Sequence, residues 1–282
     1  MLLSRPTLVP PPLSASTHTA PGQARLEFCR SGAKTVLARS FSTSPLRVLA
    51  PRNHGHGSWI FLSNLGGGLV DGDNIAVQVD ARRDTSVLLG TQASTKVYRS
   101  PHGCSQGFSV RVAAGAAVAM VPDPIVCFEG ARYTQSVHVT LEGDASVVLF
   151  DAYTCGRAAR GERWKFERFE SSVHVEQDHR ALLVDKTVLD GAHGDISVRM
   201  GPFSTMATLI AVGPRFAPVR LAMLARQEPP DGSALVAPSP VGSDAAILRV
   251  AAKGFECASH HLRSSFAALT DILGDDPFAR KW

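Results

Sequence analysis

Alternating valines organise the middle of this chain. Residues 77–89 (VQVDARRDTSVLL), 110–120 (VRVAAGAAVAM), 137–149 (VHVTLEGDASVVL) and 173–184 (VHVEQDHRALLV) share one plan. Each opens with a Val-x-Val triplet, passes a polar turn and ends in a second apolar run. Alternation at period two means that one strand face is buried and the other is not. The turns carry Gly, Asp or Arg, the residues that connect strands. Units repeating every 27 to 36 residues predict a layered or helical stack of β-sheets rather than a simple sandwich.

Two helices are expected beside the stack. Residues 216–227 (FAPVRLAMLARQ) are rich in Ala and Leu and are stopped by EPPDG. Phe255, Ala258, Leu262, Phe266, Leu269 and Leu273 recur at three- and four-residue steps and make one apolar helix face. Gly274 follows where a C-terminal cap belongs. Residues 228–244 between them are rich in Pro, Gly and Ser and read as a loop. No internal boundary divides residues 24–282, which read as one mainly β domain with the helices on one end or face. Residues 1–23 are rich in Pro, Ser and Thr and contain no acidic residue. Their VPPPL run breaks any targeting helix, so a disordered tail is expected.

Composition narrows the function. Of 282 residues 44% are apolar, enough for a substantial core. The net charge is +4 with both signs interspersed. No basic stripe or aromatic-basic interleaving marks a nucleic-acid surface. No apolar run approaches the roughly 20 residues of a membrane-spanning helix. Five scattered cysteines (Cys29, Cys104, Cys127, Cys155, Cys257) form no CxxC pair. That argues against a secreted disulfide framework and a structural zinc site and points to reduced thiols in an intracellular, cytoplasmic setting.

Four polar motifs carry candidate chemistry. NLGGGLVDGD contains Gly66, Gly67, Gly68, Gly72 and Asp73. A phosphate loop would continue into Lys-Ser/Thr and a helix, whereas this one runs into NIAVQV, a strand. A calcium loop would need a completing acid and flanking helices. What remains is a tight turn with glycine at positive φ. TQASTKVYRS contains Thr95, Lys96 and Tyr98, with Ser94 and Lys96 lacking a base to activate them. Pro122, Asp123 and Pro124 open VPDPIVCFEGARY as an extended corner. Asp151 and Glu162 flank Gly156, Arg157 and Gly161 in FDAYTCGRAARGERW. The latter two carboxylates would be an acid/base pair if they converged. His54 and His56 offer at most a weak metal site, and adjacent His260 and His261 point apart on a helix.

The ordered set NLGGGLVDGD, TQASTKVYRS, PDPIVCFEGARY and GRAARGE resembles the UreD (UreH) family of urease accessory proteins. GAKTVLARSFSTSPLRVL and the ending LGDDPFARKW add to the likeness, which runs from about Arg25 to Trp282. The resemblance implies a non-catalytic maturation factor with a β-stacked fold and a pair of helices. It implies partnership with UreF, the GTPase UreG and apo-urease, with a possible dimer within the complex. It also implies an internal polar passage for transient Ni²⁺ and no tightly bound cofactor. An ion in transit must be held weakly, which favours carboxylates, hydroxyls and waters over a closed His/Cys cage. Asp73, Thr95, Asp151, Glu162 and Asp185 are the candidate passage residues. Two other readings stay open: a β-stacked hydrolase using Asp151 and Glu162, and a purely structural adaptor.

Overall fold

A computed structural model describes residues 22–52 and 55–276. The tail expected at the N-terminus, apart from its last two residues, lies outside these, as does His54. The chain starts with a hairpin of β1 (Gln23–Ser31) and β2 (Lys34–Ser42), then β3 (Leu46–Leu49) and β4 (Ser58–Asn64). The valine units follow as rungs of a stack. β5 (Asn74–Ala81) crosses to β6 (Ser86–Thr91) and the short β7 (Thr95–Val97). β8 (Cys104–Val112) crosses to β9 (Ala117–Met120) and β10 (Ile125–Cys127), and β11 (Arg132–Leu141) crosses to β12 (Ser146–Thr154). The fourth unit folds back on itself as the hairpin β13 (Arg168–Gln177) and β14 (Arg180–Asp190).

Two sheets result. The smaller runs β14-β13-β11-β8-β5-β1-β2 and is parallel except at its edges. The larger is parallel through β12-β9-β6-β4. Antiparallel strands extend it: β3 on one side, β15 (Thr205–Val212) and β17 (Ala245–Ala252) with β16 (Ala234–Val241) on the other. β7 and β10 pair with each other, and β10 with the end of β12, as a short third side.

Stacking is in register. Val77, Phe108, Val137 and Val173 form one ladder across the smaller sheet, and Val79, Val110, Val139 and Val175 the next. The Val-x-Val at Val110 therefore sits two residues later in its rung than the other three triplets. Phe108 takes the place that valine holds elsewhere, so the triplet alone misplaces that rung. Polar turns stack as well: Asp144 accepts from the Gly115 N–H (2.7 Å), and Asp178 from the Gly143 N–H (3.0 Å). Each turn thus satisfies a backbone donor of the rung before it.

The core has two layers. One fills the space between the sheets and includes Val79, Val110, Val139 and Val175 facing Val87, Val118 and Val147. The other lies between the larger sheet and the helices α2 (Ala217–Leu224), α3 (Phe255–Ala267) and α4 (Leu269–Leu273). A further single-turn helix, α1 (Ile196–Met200), was not expected from the sequence. It is capped by Asp195, which accepts from the Ser197 N–H at 2.7 Å. Phe150 of β12 meets Phe266 of α3 edge-on at 5.4 Å. Full burial of such a side chain is worth about 1.5–3 kcal/mol. Gly274 ends α4 at φ +79°, as expected of a left-handed cap.

One expectation is corrected. Residues 228–244 are not all loop, because residues 234–241 form β16. Ala234 and Val236 are buried against the helices while Pro238 and Pro240 lie in the same strand. The prolines are tolerated because β16 is an edge strand, paired on one side only.

Candidate functional site

A polar row crosses the inside of this β-stack. Two residues before each ladder residue Val77, Phe108, Val137 and Val173 stand Ile75, Gln106, Gln135 and Ser171, which pair in register. At period two they face inward with the valines. Gln106, Gln135 and Ser171 are all buried. The single proton of the buried Tyr133 hydroxyl is shared between Gln106 Oε1 at 2.7 Å and Gln135 Oε1 at 3.1 Å. Gln135 Nε2 donates to Ser171 Oγ and to Asp151 Oδ1, each at 3.3 Å. Ser171 Oγ donates to Asp151 Oδ2 at 2.6 Å. Here the two sheets are joined across their buried interface by side-chain hydrogen bonds.

Burial pushes the Asp151 carboxyl up from its ordinary value. The bonds from Ser171 and Gln135 oppose that rise, and the charge of Asp185 adds to it. Asp185 of β14 pairs in register with Val173, carries an ion pair to Arg249 of β17 and is itself 15% exposed. Asp151 keeps some accessible surface because it lines a cavity.

That cavity has a volume of about 40 Å³ and is bounded by Thr95, Gln106, Gln135 and Asp151 among apolar neighbours. A groove of about 230 Å³, open at the glycine turn, is lined by Asn64, Gly67, Gly68, Ser94 and Lys96. The groove and the cavity share Leu62, Thr91, Thr95 and Gln106 as walls. Polar groups therefore follow one another from the glycine turn to the space between the sheets. Among the described residues, no three His, Cys, Asp or Glu side chains are gathered around a point as a metal site.

The glycine turn is built for close approach. Gly66, Gly67 and Gly72 have φ of +92°, +79° and +82°. Gly68 packs so tightly on β7 that a Cβ would lie 2.5 Å from the Lys96 carbonyl oxygen. Just past it, Leu69 donates to Lys96 O (2.8 Å) and accepts from the Tyr98 N–H (2.9 Å). The turn thereby adds a bridge to the short third side and holds Thr95 at the wall shared by groove and cavity. Asp73 closes the turn, accepting from the Val70 N–H at 2.8 Å. It is among the lining residues of neither groove nor cavity.

The corner at residues 122–124 also fixes that wall. Thr91 Oγ1 donates to Asp123 Oδ2 (2.9 Å) and accepts from the Asp123 N–H (2.7 Å). Thr95 donates its N–H to Pro124 O at 3.1 Å. Glu162 has a different setting. It is bound through two oxygens by Arg157, whose guanidinium lies 4.1 Å over the Phe128 ring. The Arg157 hydrogen bond holds the Glu162 carboxyl below its ordinary value. Gly156, at φ +97°, lets this loop pass Cys127 and Glu162, whose carbonyl oxygens a Cβ would approach to 2.7 and 2.8 Å. Gly161, at φ +76°, closes the loop. Asp151 and Glu162 share no partner and no cavity, so the structure does not assemble the acid/base pair. Cys127, beside the corner, is fully buried and its thiol is pushed well up by that burial, which suits inert packing.

Residues 20–282 match the model of the UreD urease accessory protein family. The chain belongs to that family. It is 47% identical to the urease accessory protein UreD of Sorangium cellulosum (strain So ce56) over 263 residues, covering 93% of this chain and 84% of that one. It is 38% identical to the UreD of Anaeromyxobacter sp. (strain Fw109-5) over 265 residues, 92% of this chain and 89% of that one. Urease accessory protein D of Oryza sativa subsp. indica is 29% identical over 298 residues, 94% and 97% of the two chains.

Of the five residues expected to line a passage in this chain, Thr95 and Asp151 bound one cavity and Asp185 stands close enough to Asp151 to act on its charge. Asp73 caps a turn and Glu162 is tied to Arg157. Gln106, Tyr133, Gln135 and Ser171 were not singled out from the sequence. The signal was available: each sits on the inward phase of a valine alternation, extended two or four residues toward the N-terminus. Among the described residues, no helix is long and apolar enough to cross a membrane.

Proposed function

We propose that this UreD-family chain is a non-catalytic urease maturation factor that passes Ni²⁺ between its two sheets. In this reading it works with apo-urease, UreF and the GTPase UreG in the cytoplasm. The ion enters at the glycine-lined groove, passes Thr95 and Gln106, and meets Gln135, Ser171 and Asp151 before leaving past Asp185. The observation that carries the reading is the hydrogen-bonded row from Gln106 to Asp151 inside a β-stack, beside a cavity that shares its walls with an open groove.

Its chemistry suits transit. A cavity of about 40 Å³ admits at most a few waters, since each needs about 10–15 Å³ in this measure. A hexahydrated ion does not fit, so it must exchange waters for protein oxygens. Amide, hydroxyl and carboxylate oxygens bind Ni²⁺ more weakly than imidazole and thiolate. Asp151 supplies a negative charge that becomes available as the incoming cation favours its ionised form. Release needs such weak, successive sites.

Urease would be activated in cells lacking this protein and supplied with wild type, Thr95→Val or Asp151→Ala at fixed nickel. The expected result is normal urease protein, normal recovery of the accessory complex, and less nickel per urease with either variant. Equal nickel content would overturn the passage and leave an adaptor. Loss of complex recovery with both variants would place these residues in assembly instead.

A further inference from the structure

The chain leaves α4 from a clamped end. Gly274 caps the helix in the left-handed region. Residues just before β4 hold its last turn: the Gly57 N–H donates to Leu273 O at 2.9 Å, and His56 Nε2 lies 2.8 Å from Ile272 O. Two residues further on, Asp276 stands on the wall of a cavity of about 780 Å³. That cavity lies between α3 and the corner at residues 122–124, with Phe150, Phe255, Leu262 and Phe266 as its apolar lining. Its charged lining is unbalanced. Asp123, Glu256 and Asp276 bring three carboxylates against the guanidinium of Arg263 and the imidazole of His260. The described residues end at Asp276, and the sequence continues Pro-Phe-Ala-Arg-Lys-Trp as residues 277–282.

We propose that this cavity is the docking site of the chain's own residues 277–282, with Phe278 and Trp282 against its apolar lining and Arg280 and Lys281 against its carboxylates. Proline at 277 rules out a further turn of α4, so the segment departs from the wall on which Asp276 stands. Six extended residues reach about 20 Å. That exceeds the edge of a cube of the cavity's volume, about 9 Å. The chemistry matches on both counts: aromatic rings favour edge-to-face and offset contact with other rings, and two cations meet an excess of carboxylates. Tethering selects this occupant over others. A short link holds a segment at an effective concentration of roughly millimolar, which a partner's segment or the tail of a second copy must outcompete. Once docked, the segment covers a wall used twice. Asp123 and Phe150 line this cavity and also the inner one of about 40 Å³, and Ser94 lines it and also the groove. The proposal does not rest on the passage of an ion.

The test places the photo-reactive p-benzoylphenylalanine at position 278 of the full chain and irradiates the purified protein. Cross-links within one chain, from position 278 to residues 255–266 or 123–150, are expected by mass spectrometry. Glu256→Lys should lower their yield about two- to fivefold, the range of a partly solvated ion pair. Combining it with Arg280→Glu and Lys281→Glu should restore the yield. Glu256 is exposed, so the fold should survive, which circular dichroism checks. A second readout compares wild type with a chain ended at Asp276. Amide exchange in residues 256–263 should become about tenfold faster, while residues 137–141 in the smaller sheet stay unchanged. Cross-links only between two copies would assign the cavity to a second chain and overturn the proposal. So would cross-links only outside the cavity, no cross-link at all, or unchanged exchange over α3. Should the shortened chain fail to fold, the cross-link map decides alone.

Discussion

Ser171 of the smaller sheet donates a 2.6 Å hydrogen bond to Asp151 of the larger one. The bond ties the two halves of the stack at the end of the polar row formed by Gln106 and Gln135. It also places a carboxylate where burial opposes its charge. Asp151 has its folded pKa raised, chiefly by desolvation. A raised value means that the folded chain holds the proton more tightly than the unfolded chain. The contribution of Asp151 is therefore fully present below the ordinary carboxylate range and is lost as pH rises through the raised value.

Asp151→Asn keeps an acceptor for Ser171 and removes the charge. The variant should unfold at a higher temperature than wild type at neutral pH, and the gap should close as pH falls below about 4. Thermal scans across pH on both proteins check this. A gap independent of pH would mean that Asp151 is not desolvated as described.

Tyr133→Phe removes the donor shared by Gln106 and Gln135 and leaves two buried carboxamide oxygens short of a partner. A loss of about 1–3 kcal/mol is expected in urea unfolding. A second substitution, Gln106→Leu, should recover part of it, because removing both polar partners costs less than orphaning one. Additive losses would argue that the hydroxyl is not satisfied by Gln106.

Two glycines in the same turn should fail for different reasons. At Gly66 there is open space but φ is +92°, so Gly66→Ala costs about 1 kcal/mol through backbone strain. At Gly68 a Cβ meets the Lys96 carbonyl at 2.5 Å and the Tyr98 ring at 2.9 Å. Gly68→Ala should cost about 1–3 kcal/mol and displace β7 with Thr95. Amide exchange in residues 95–97 separates the cases: faster for Gly68→Ala, unchanged for Gly66→Ala.

Arg157 and Glu162 make a pH-dependent contribution of opposite sign to that of Asp151. The Glu162 carboxyl is lowered, first by the Arg157 hydrogen bond. Its stabilisation is present above the ordinary glutamate value and is lost as pH falls through the lowered one. Arg157→Ala should move the acid side of the stability profile to higher pH. An acid limb that stays in place would show that the pair is too solvated to matter.

Alternation carried far in this chain because a parallel stack repeats one local instruction. A buried strand face needs an apolar residue at every second position, and each valine unit supplies it. The helices over Phe216 and Phe255 to Leu273 were legible for the same reason at period 3.6. Local pattern misled at residues 234–241, where Pro and Ser suggested a loop: an edge strand uses hydrogen bonds on one side only, and its partner β17 is not visible in its own composition. It misled again at Val110, because register is a relation between strands and the triplet on one strand cannot state it.

The candidate site divides along the same line. Glycine at positive φ, the proline corner and the Arg157 loop are local shapes, and their residues announced them. That Thr95 and Asp151 bound one cavity, while Asp73 ends a turn and Glu162 binds Arg157, depends on which rungs stack and which edges meet. Gln106, Gln135 and Ser171 lie about 30 residues apart along the chain and join only because parallel strands align them. By itself the sequence determined that the chain would stack strands around an apolar interior; the tertiary structure decided where that interior would be polar, since only packing brings distant side chains to one point.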